Sequence, residues 1–214
     1  MRKGEVARLL ICFSCAAAMA SPRIKLYTHS SCPFAQRVWI ALEASGIPFE
    51  KVEVNLYGSG GFDKRALKTV EAAAGLAPKG YIPVMSIDEE VIRESSVLVE
   101  RVALLSSEVE GATSLVPEHA ELAERLTGLC NGLPTSPSSL ELSKLMLEAD
   151  ATLASNTFLA GSTFSVADCC LLPFFQRVEA DIPTKATHLR AYMARAHETP
   201  AFAKTVVSSW WWWW

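Results

Sequence analysis

The stretch IKLYTHSSCPFAQRVWIALEASGIPFEKVEVNL, Ile24 to Leu56, decides the fold. Its first five residues, Ile24 to Thr28, alternate apolar and polar side chains and read as a strand. Pro33 then suits a first helical position, where its missing N–H would be unpaired anyway. Phe34, Val38, Ala41 and Leu42 share one helical face, and Gly46 stops the helix. Val52, Val54 and Leu56 alternate with polar residues in a second strand. Strand, helix and strand make a βαβ unit, whose crossover is right-handed by the usual chirality rule. One cysteine, Cys32, stands directly before the helix. A redox pair would carry a second cysteine three residues later, and that position is Ala35.

Outward from this unit the order continues. The glycine-rich loop Gly58 to Gly61 leads to a helix expected over about Phe62 to Ala74, with Gly75 after it. YIPVMSI and EVIRE pair as two short strands across Asp88 and Glu89, which makes the sheet mixed. A helix begins near Ser95 with Val99, Val102 and Leu105 on one side. The order βαβαββα over residues 21–106 predicts a thioredoxin-like α/β domain. Beyond Ser106 the strand signals stop. Helices are expected near Pro117–Leu129, Leu140–Ala154, Ser165–Ala180 and His188–Lys204, forming an all-α domain over 113–207. Ser165 and Asp168 form a capping-box-like pair before the apolar run CCLLPFF, and Pro173 is expected to kink that helix. Two domains of this kind leave a cleft between them.

The two chain ends read differently. Arg2, Lys3 and Arg8 precede the apolar run Leu9 to Ala20, and Ala18-Met19-Ala20 has the layout of a cleavage site before Ser21. Residues 1–20 therefore read as a targeting segment, with an untargeted extension as the alternative because Glu5, Cys12 and Cys15 fit a signal poorly. Residues 208–214 carry five tryptophans, Trp210 to Trp214. A membrane-interface anchor, a packed tail and an erroneous gene end are all open for them.

Composition narrows the function classes. The 214-residue chain has a net charge of -3 and scattered Lys and Arg, which argues against nucleic acid. Six cysteines in a chain this long do not read as a disulfide framework. Zinc-ribbon spacing and HExxH are both absent from the sequence, so no metal is expected. Gly58 to Gly61 has neither GxGxxG nor Gly-Lys-Ser/Thr, and reads as a plain loop. His29 lacks an identifiable orienting partner, and Cys169-Cys170 reads as packing.

Cys32 is where chemistry is expected, with an inert buried thiol as the alternative. At a helix start, unpaired N–H groups and the helix dipole stabilise a thiolate. Without a cysteine at position 35, the resulting mixed disulfide needs an outside thiol, and glutathione is the abundant one. Three further features suit that tripeptide. A cis Ile82-Pro83 bond would expose the backbone of Ile82 for pairing with an extended ligand, although a trans proline is equally open here. Glu94-Ser95 heads a helix, where a carboxylate ligand finds donors and its ammonium group finds Glu94, although a plain helix cap is the other reading. Phe34 either leans over the site or belongs to the core.

The chain resembles the cysteine-type glutathione transferases of the omega, lambda and dehydroascorbate reductase classes. CPFAQRVWI is similar to the lambda active-site segment, CPFA to the omega form, YIPV to the proline strand, ESS to the γ-glutamyl site and FSVADCCLLPFF to the capped helix. The resemblance covers about Ile24 to Phe202. It implies that Cys32 forms the mixed disulfide and that Phe34, Ile82, Pro83, Glu94 and Ser95 hold glutathione as co-substrate. It implies a thiol transferase or dehydroascorbate-type reductase acting on a small electrophilic, disulfide or oxidised substrate. The loop YGSGGFDKR offers no secure match to the family's lysine. Tyr27, Ser30 and Ser31 keep a serine- or tyrosine-type conjugating site open. A non-catalytic binding or membrane protein, similar to the intracellular chloride-channel proteins, is the alternative. A monomer and a homodimer are both compatible. The resemblance implies a cytoplasmic location, and a signal peptide at 1–20 would imply the secretory pathway or an organelle.

Overall fold

The computed structural model describes residues 21–56, 62–133 and 138–206. The targeting segment, the glycine loop and the tryptophan tail lie outside these residues. Five strands form one mixed sheet in the order β3-β2-β1-β4-β5. They are β1 (Ile24–Thr28), β2 (Phe49–Asn55), β3 (Phe62–Asp63), β4 (Val84–Ile87) and β5 (Glu90–Arg93). β1 runs parallel to β2 and antiparallel to β4, and β4 and β5 form the expected hairpin. The β1–β2 register begins at Ile24 opposite Phe49, so β2 starts earlier than its alternation suggests.

Three helices flank this sheet: α1 (Pro33–Ser45), α2 (Lys64–Ala73) and α3 (Ser95–Glu108). Pro33 occupies the first turn of α1, and Gly46 closes it in the left-handed conformation at φ 71°. Only a residue without Cβ adopts that φ at no steric cost. The second helix starts two residues later than expected. Phe62 and Asp63 pair in parallel with Val54 and Asn55 as the short β3, and the Asp63 side chain then caps the Arg65 N–H at 2.7 Å. Capping by Asp fixes the start more strongly than the apolar pattern does.

The helical part holds α4 (Ala120–Asn131), α5 (Ser139–Leu153), α6 (Val166–Arg177), α7 (Thr187–Glu198) and α8 (Pro200–Ala203). The helix expected over His188–Lys204 is two helices. Pro200 has no N–H to continue α7, and it holds Thr199 in extended backbone at ψ 120°. The segment after Arg177 leaves the α-helix for a short 3-10 turn, Glu179–Asp181. Pro173 sits inside α6, which runs through it to Arg177.

Burial explains how the two parts hold together. Ile24 and Leu26 of β1, Val38 and Leu42 of α1, and Val99 and Val102 of α3 belong to one core with Leu126, Leu172, Phe175 and Phe202 of the helical domain. The opposite face of the sheet carries a small separate core of Tyr27, Val54, Leu67 and Val84, covered by α2. α1 is therefore packed between the sheet and α6, and the residues at its N-terminus face both domains. At the start of α6, the buried Asp168 carboxylate accepts from the Ser165 N–H at 2.9 Å, the Leu159 N–H at 3.1 Å and the Tyr192 hydroxyl at 2.7 Å. The expected capping box is present, and it also ties α7 and the 159 loop to the helix.

Candidate active site

Cys32 is the residue before α1, with extended backbone at φ -85° and ψ 115°. Its own N–H donates to the His29 carbonyl at 3.0 Å, and its carbonyl accepts from the Gln36 N–H at 2.9 Å. The thiol is a free cysteine, partly buried. Burial pushes it up; the Ala35 and Phe34 N–H groups and the Arg177 and Arg37 guanidiniums pull it down, and burial outweighs them. The expectation of a thiol lowered by the helix start is thus corrected. The helix donors are in place, and desolvation of the thiolate exceeds them.

The neighbouring loop is well tethered. The Ser30 N–H donates to Glu53 Oε1 on β2 at 2.7 Å, and the Ser31 hydroxyl lies 2.7 Å from His29 Nδ1. His29 is therefore engaged with Ser31 and its carbonyl with Cys32. Cys169 and Cys170 are free and buried. Burial pushes Cys169 far up and Cys170 to about 12, so both are packing thiols at neutral pH.

A cleft of about 870 Å³ brings Phe34, Ile82, Pro83, Glu94 and Ser95 together. Cys32 is not part of that lining; Phe34, two residues on, is. The Ile82-Pro83 peptide is cis. Phe34 does not belong to the core: it is 40% exposed and its ring meets Phe174 edge-on at 5.6 Å. Glu94 precedes α3 with φ 69°, a strained conformation for a non-glycine residue. Such strain persists only where the surroundings enforce it, and here it lies on the cleft wall.

Sequence reasoning missed several cleft residues. Lys64, Lys79 and Tyr81 line it, with Arg93. Lys64 and Lys79 lie far apart along the chain, and no motif links them; only the fold brings them to one cleft. Arg37 is buried to 1% exposure, stacks its guanidinium on Phe174 at 4.6 Å and Phe34 at 5.3 Å, and donates to Asn131 Oδ1 at 2.6 Å. The position of Arg37 beside the apolar face of α1 is visible in sequence, but its burial and its partners are not. Among the described residues, no group of three or more His, Cys, Asp or Glu side chains is placed to hold a metal ion. No helix among them is long and apolar enough to cross a membrane.

An α/β domain with a cis-proline strand, packed on a helical bundle, defines the glutathione transferase fold class. The chain belongs to the glutathione S-transferase family: residues 31–104 match the N-terminal domain model and residues 141–195 the C-terminal domain model. Relatives include a probable glutathione S-transferase DHAR2, chloroplastic, of Oryza sativa subsp. japonica, 23% identical over 82% of this chain and 65% of that protein. The chain therefore spans just under two thirds of that relative's length. Glutathione S-transferase omega-1 of Sus scrofa is 26% identical over 83% of this chain and 78% of its own length. Among solved structures, glutathione transferase Omega 1C of Trametes versicolor superposes with a TM-score of 0.68 at 23% identity, covering 87% of this chain and 92% of that one. Rice GST1, solved in complex with glutathione, gives 0.69 at 18% identity, covering 88% and 92%.

Proposed function

We propose that the protein is a glutathione-dependent thiol transferase or reductase working through Cys32. The observation that carries the reading is the cleft itself. Phe34, Ile82-Pro83 and Glu94-Ser95 all line it, and Phe34 lies two residues after the lone cysteine that precedes α1. The DHAR and omega names among its relatives support the same class.

The charges of the cleft suit glutathione. The tripeptide carries two carboxylates and one ammonium group. Lys64 and Lys79 offer cations for the carboxylates, and Glu94 offers a carboxylate for the ammonium. The first residues of α3 offer N–H donors for the γ-glutamyl carboxylate, with the Ser95 hydroxyl beside them. The backbone of Ile82 pairs with the extended peptide as an added strand would.

Catalysis proceeds by thiol–disulfide exchange. The Cys32 thiolate attacks the glutathione sulfur of a glutathionylated substrate. A Cys32–glutathione disulfide forms, the substrate sulfur leaves and takes a proton. A second glutathione thiolate attacks the glutathione sulfur of that disulfide. Oxidised glutathione departs and Cys32 returns as thiolate. The net change is one disulfide exchanged for another, with one glutathione consumed. For dehydroascorbate, two glutathione thiols supply the two electrons and two protons.

Glutathione-dependent reduction of a small mixed disulfide by the full chain and by Cys32→Ser tests this. Loss of at least about a hundredfold in the variant supports Cys32 as nucleophile. Undiminished reduction, or conjugation of a model electrophile with no reductase activity in the parent, sinks it and favours the serine-type or binding readings.

A further inference from the structure

Arg177, in the last turn of α6, reaches from the helical domain to the loop that carries Cys32. Its Nη2 donates to the Ser31 carbonyl at 3.1 Å. Its Nη1 donates to the Gln36 side-chain oxygen at 2.6 Å and to the Pro173 carbonyl at 2.6 Å. Ser31 immediately precedes Cys32, and Gln36 lies one turn beyond it. The guanidinium fork thus binds residues on both sides of Cys32 in the chain. Gln36 is buried and fixed in turn, its Nε2 donating to Gln176 Oε1 at 2.8 Å and to the Thr205 carbonyl at 2.9 Å.

Every acceptor that Arg177 uses in these bonds is neutral. Among the described residues, no carboxylate lies within ion-pair distance of it. A partly buried guanidinium without an anion is left with an uncompensated desolvation cost. Cys32 is the ionisable group whose charge acts on it. Arg37 is the other cation acting on Cys32, and it is committed to Asn131, Cys130 and two aromatic rings. His29 and Glu53, which flank the same loop, are engaged with Ser31 and Ser30.

We infer that Arg177 is a positioning residue for the Cys32 chemistry. From the second domain it fixes the loop before Cys32 and presents the charge that a Cys32 thiolate meets. The inference rests on the reading of Cys32 as the nucleophile. It makes the packing of α6 against α1 part of the active site and not only of the core.

The test is the pH dependence of Cys32 alkylation by iodoacetamide, read by mass spectrometry on the peptide that carries Cys32. The full chain is compared with Arg177→Gln and Arg177→Lys, and with Arg125→Gln, on exposed helix surface, as a control. In Arg177→Gln the midpoint rises by about one pH unit, the size expected for losing one nearby opposite charge. That is about tenfold less thiolate well below both midpoints. Arg177→Lys, which keeps the charge, stays nearer the parent. Disulfide turnover at neutral pH falls by a similar factor in kcat, recovers at higher pH, and leaves the KM for glutathione little changed.

An unmoved midpoint in Arg177→Gln makes the residue a structural strut and overturns the inference, as does an effect confined to the KM of the disulfide substrate. If Arg177→Gln does not fold, the side-chain N–H resonances of Arg177 in the parent decide. They shift with the Cys32 titration if the two are coupled, and a flat response overturns the coupling. Full turnover in Cys32→Ser overturns both the mechanism and the part of Arg177 in it. An unmoved midpoint with turnover abolished in Cys32→Ser overturns the Arg177 inference alone.

Discussion

The Glu71 carboxylate, fully buried on α2, accepts the Gly80 N–H at 2.6 Å and faces the Arg93 guanidinium at 3.1 Å. Arg93 also donates to the Ala77 carbonyl at 2.7 Å. Three segments meet at this one carboxylate: α2, the loop before the cis-proline, and the end of β5. The loop carries Lys79 and Tyr81 into the cleft, and Gly80 turns within it at φ 66°.

Glu71→Ala removes the anion and strands Arg93 and the Gly80 N–H. Breaking a buried pair on one side costs about 3 kcal/mol or more. Denaturant unfolding should show that loss. Calorimetry should show weaker glutathione binding, because Lys79 and Ile82 lose their anchor. Unchanged affinity in a folded variant would show that the loop holds its shape without Glu71.

On the proposed mechanism, Cys32 sets the pH profile. Its folded pKa is raised, chiefly by burial, above an ordinary value of 9.0. An acid whose folded pKa is raised contributes stability at lower pH that is lost as pH rises through the unfolded and then the folded value. Two outcomes follow. On that mechanism, disulfide turnover should climb steadily from pH 7 to pH 9 as thiolate forms. Cys32→Ala should lose less stability than the parent as pH passes above about 9, an ordinary thiol value. A turnover plateau already reached at pH 6 would show a thiol lowered, not raised.

Asp168 holds the start of α6. Asp168→Asn places an amide where one carboxylate oxygen accepts from Ser165 and the other from Leu159 and Tyr192. An amide nitrogen set against those donors leaves at least one buried group unpaired, which costs about 2 kcal/mol or more. Thermal unfolding should fall by several degrees. Since α6 carries Arg177, turnover should fall with it even though Asp168 is remote in sequence from Cys32.

Gly161 tests a purely steric point. It sits at φ 139°, and a Cβ added there would lie 2.6 Å from Glu118 Cβ. Glu118 accepts both the N–H and the hydroxyl of Ser162 at 2.8 Å, so it cannot move freely. Gly161→Ala should destabilise by about 1–3 kcal/mol in denaturant titrations, with glutathione binding unchanged in the folded fraction.

The legible parts of this protein are those written in local chemistry. Alternation gave β1 and the β4–β5 hairpin. Pro33 and Gly46 bounded α1 because one lacks an N–H and the other lacks a Cβ. Ser165 and Asp168 marked α6 because a helix start needs acceptors. β3 escaped because two residues carry no periodicity and its pairing with Val54 and Asn55 is non-local. The break at Pro200 was written in the sequence as plainly as Pro33 was. There it was overridden by an apolar pattern that continues across it.

What the residues by themselves determined was the lone cysteine at a helix start and the short segments, Ile82-Pro83 and Glu94-Ser95, that come to line one cleft. Tertiary structure alone decided the rest. It brought Lys64 and Lys79 to one cleft, bonded Glu71 to the loop at Gly80, and brought Arg177 from some 146 positions away to the carbonyl beside Cys32. It also set the balance at the thiol. Helix donors are a property of the local chain, but the desolvation that outweighs them depends on everything packed around it.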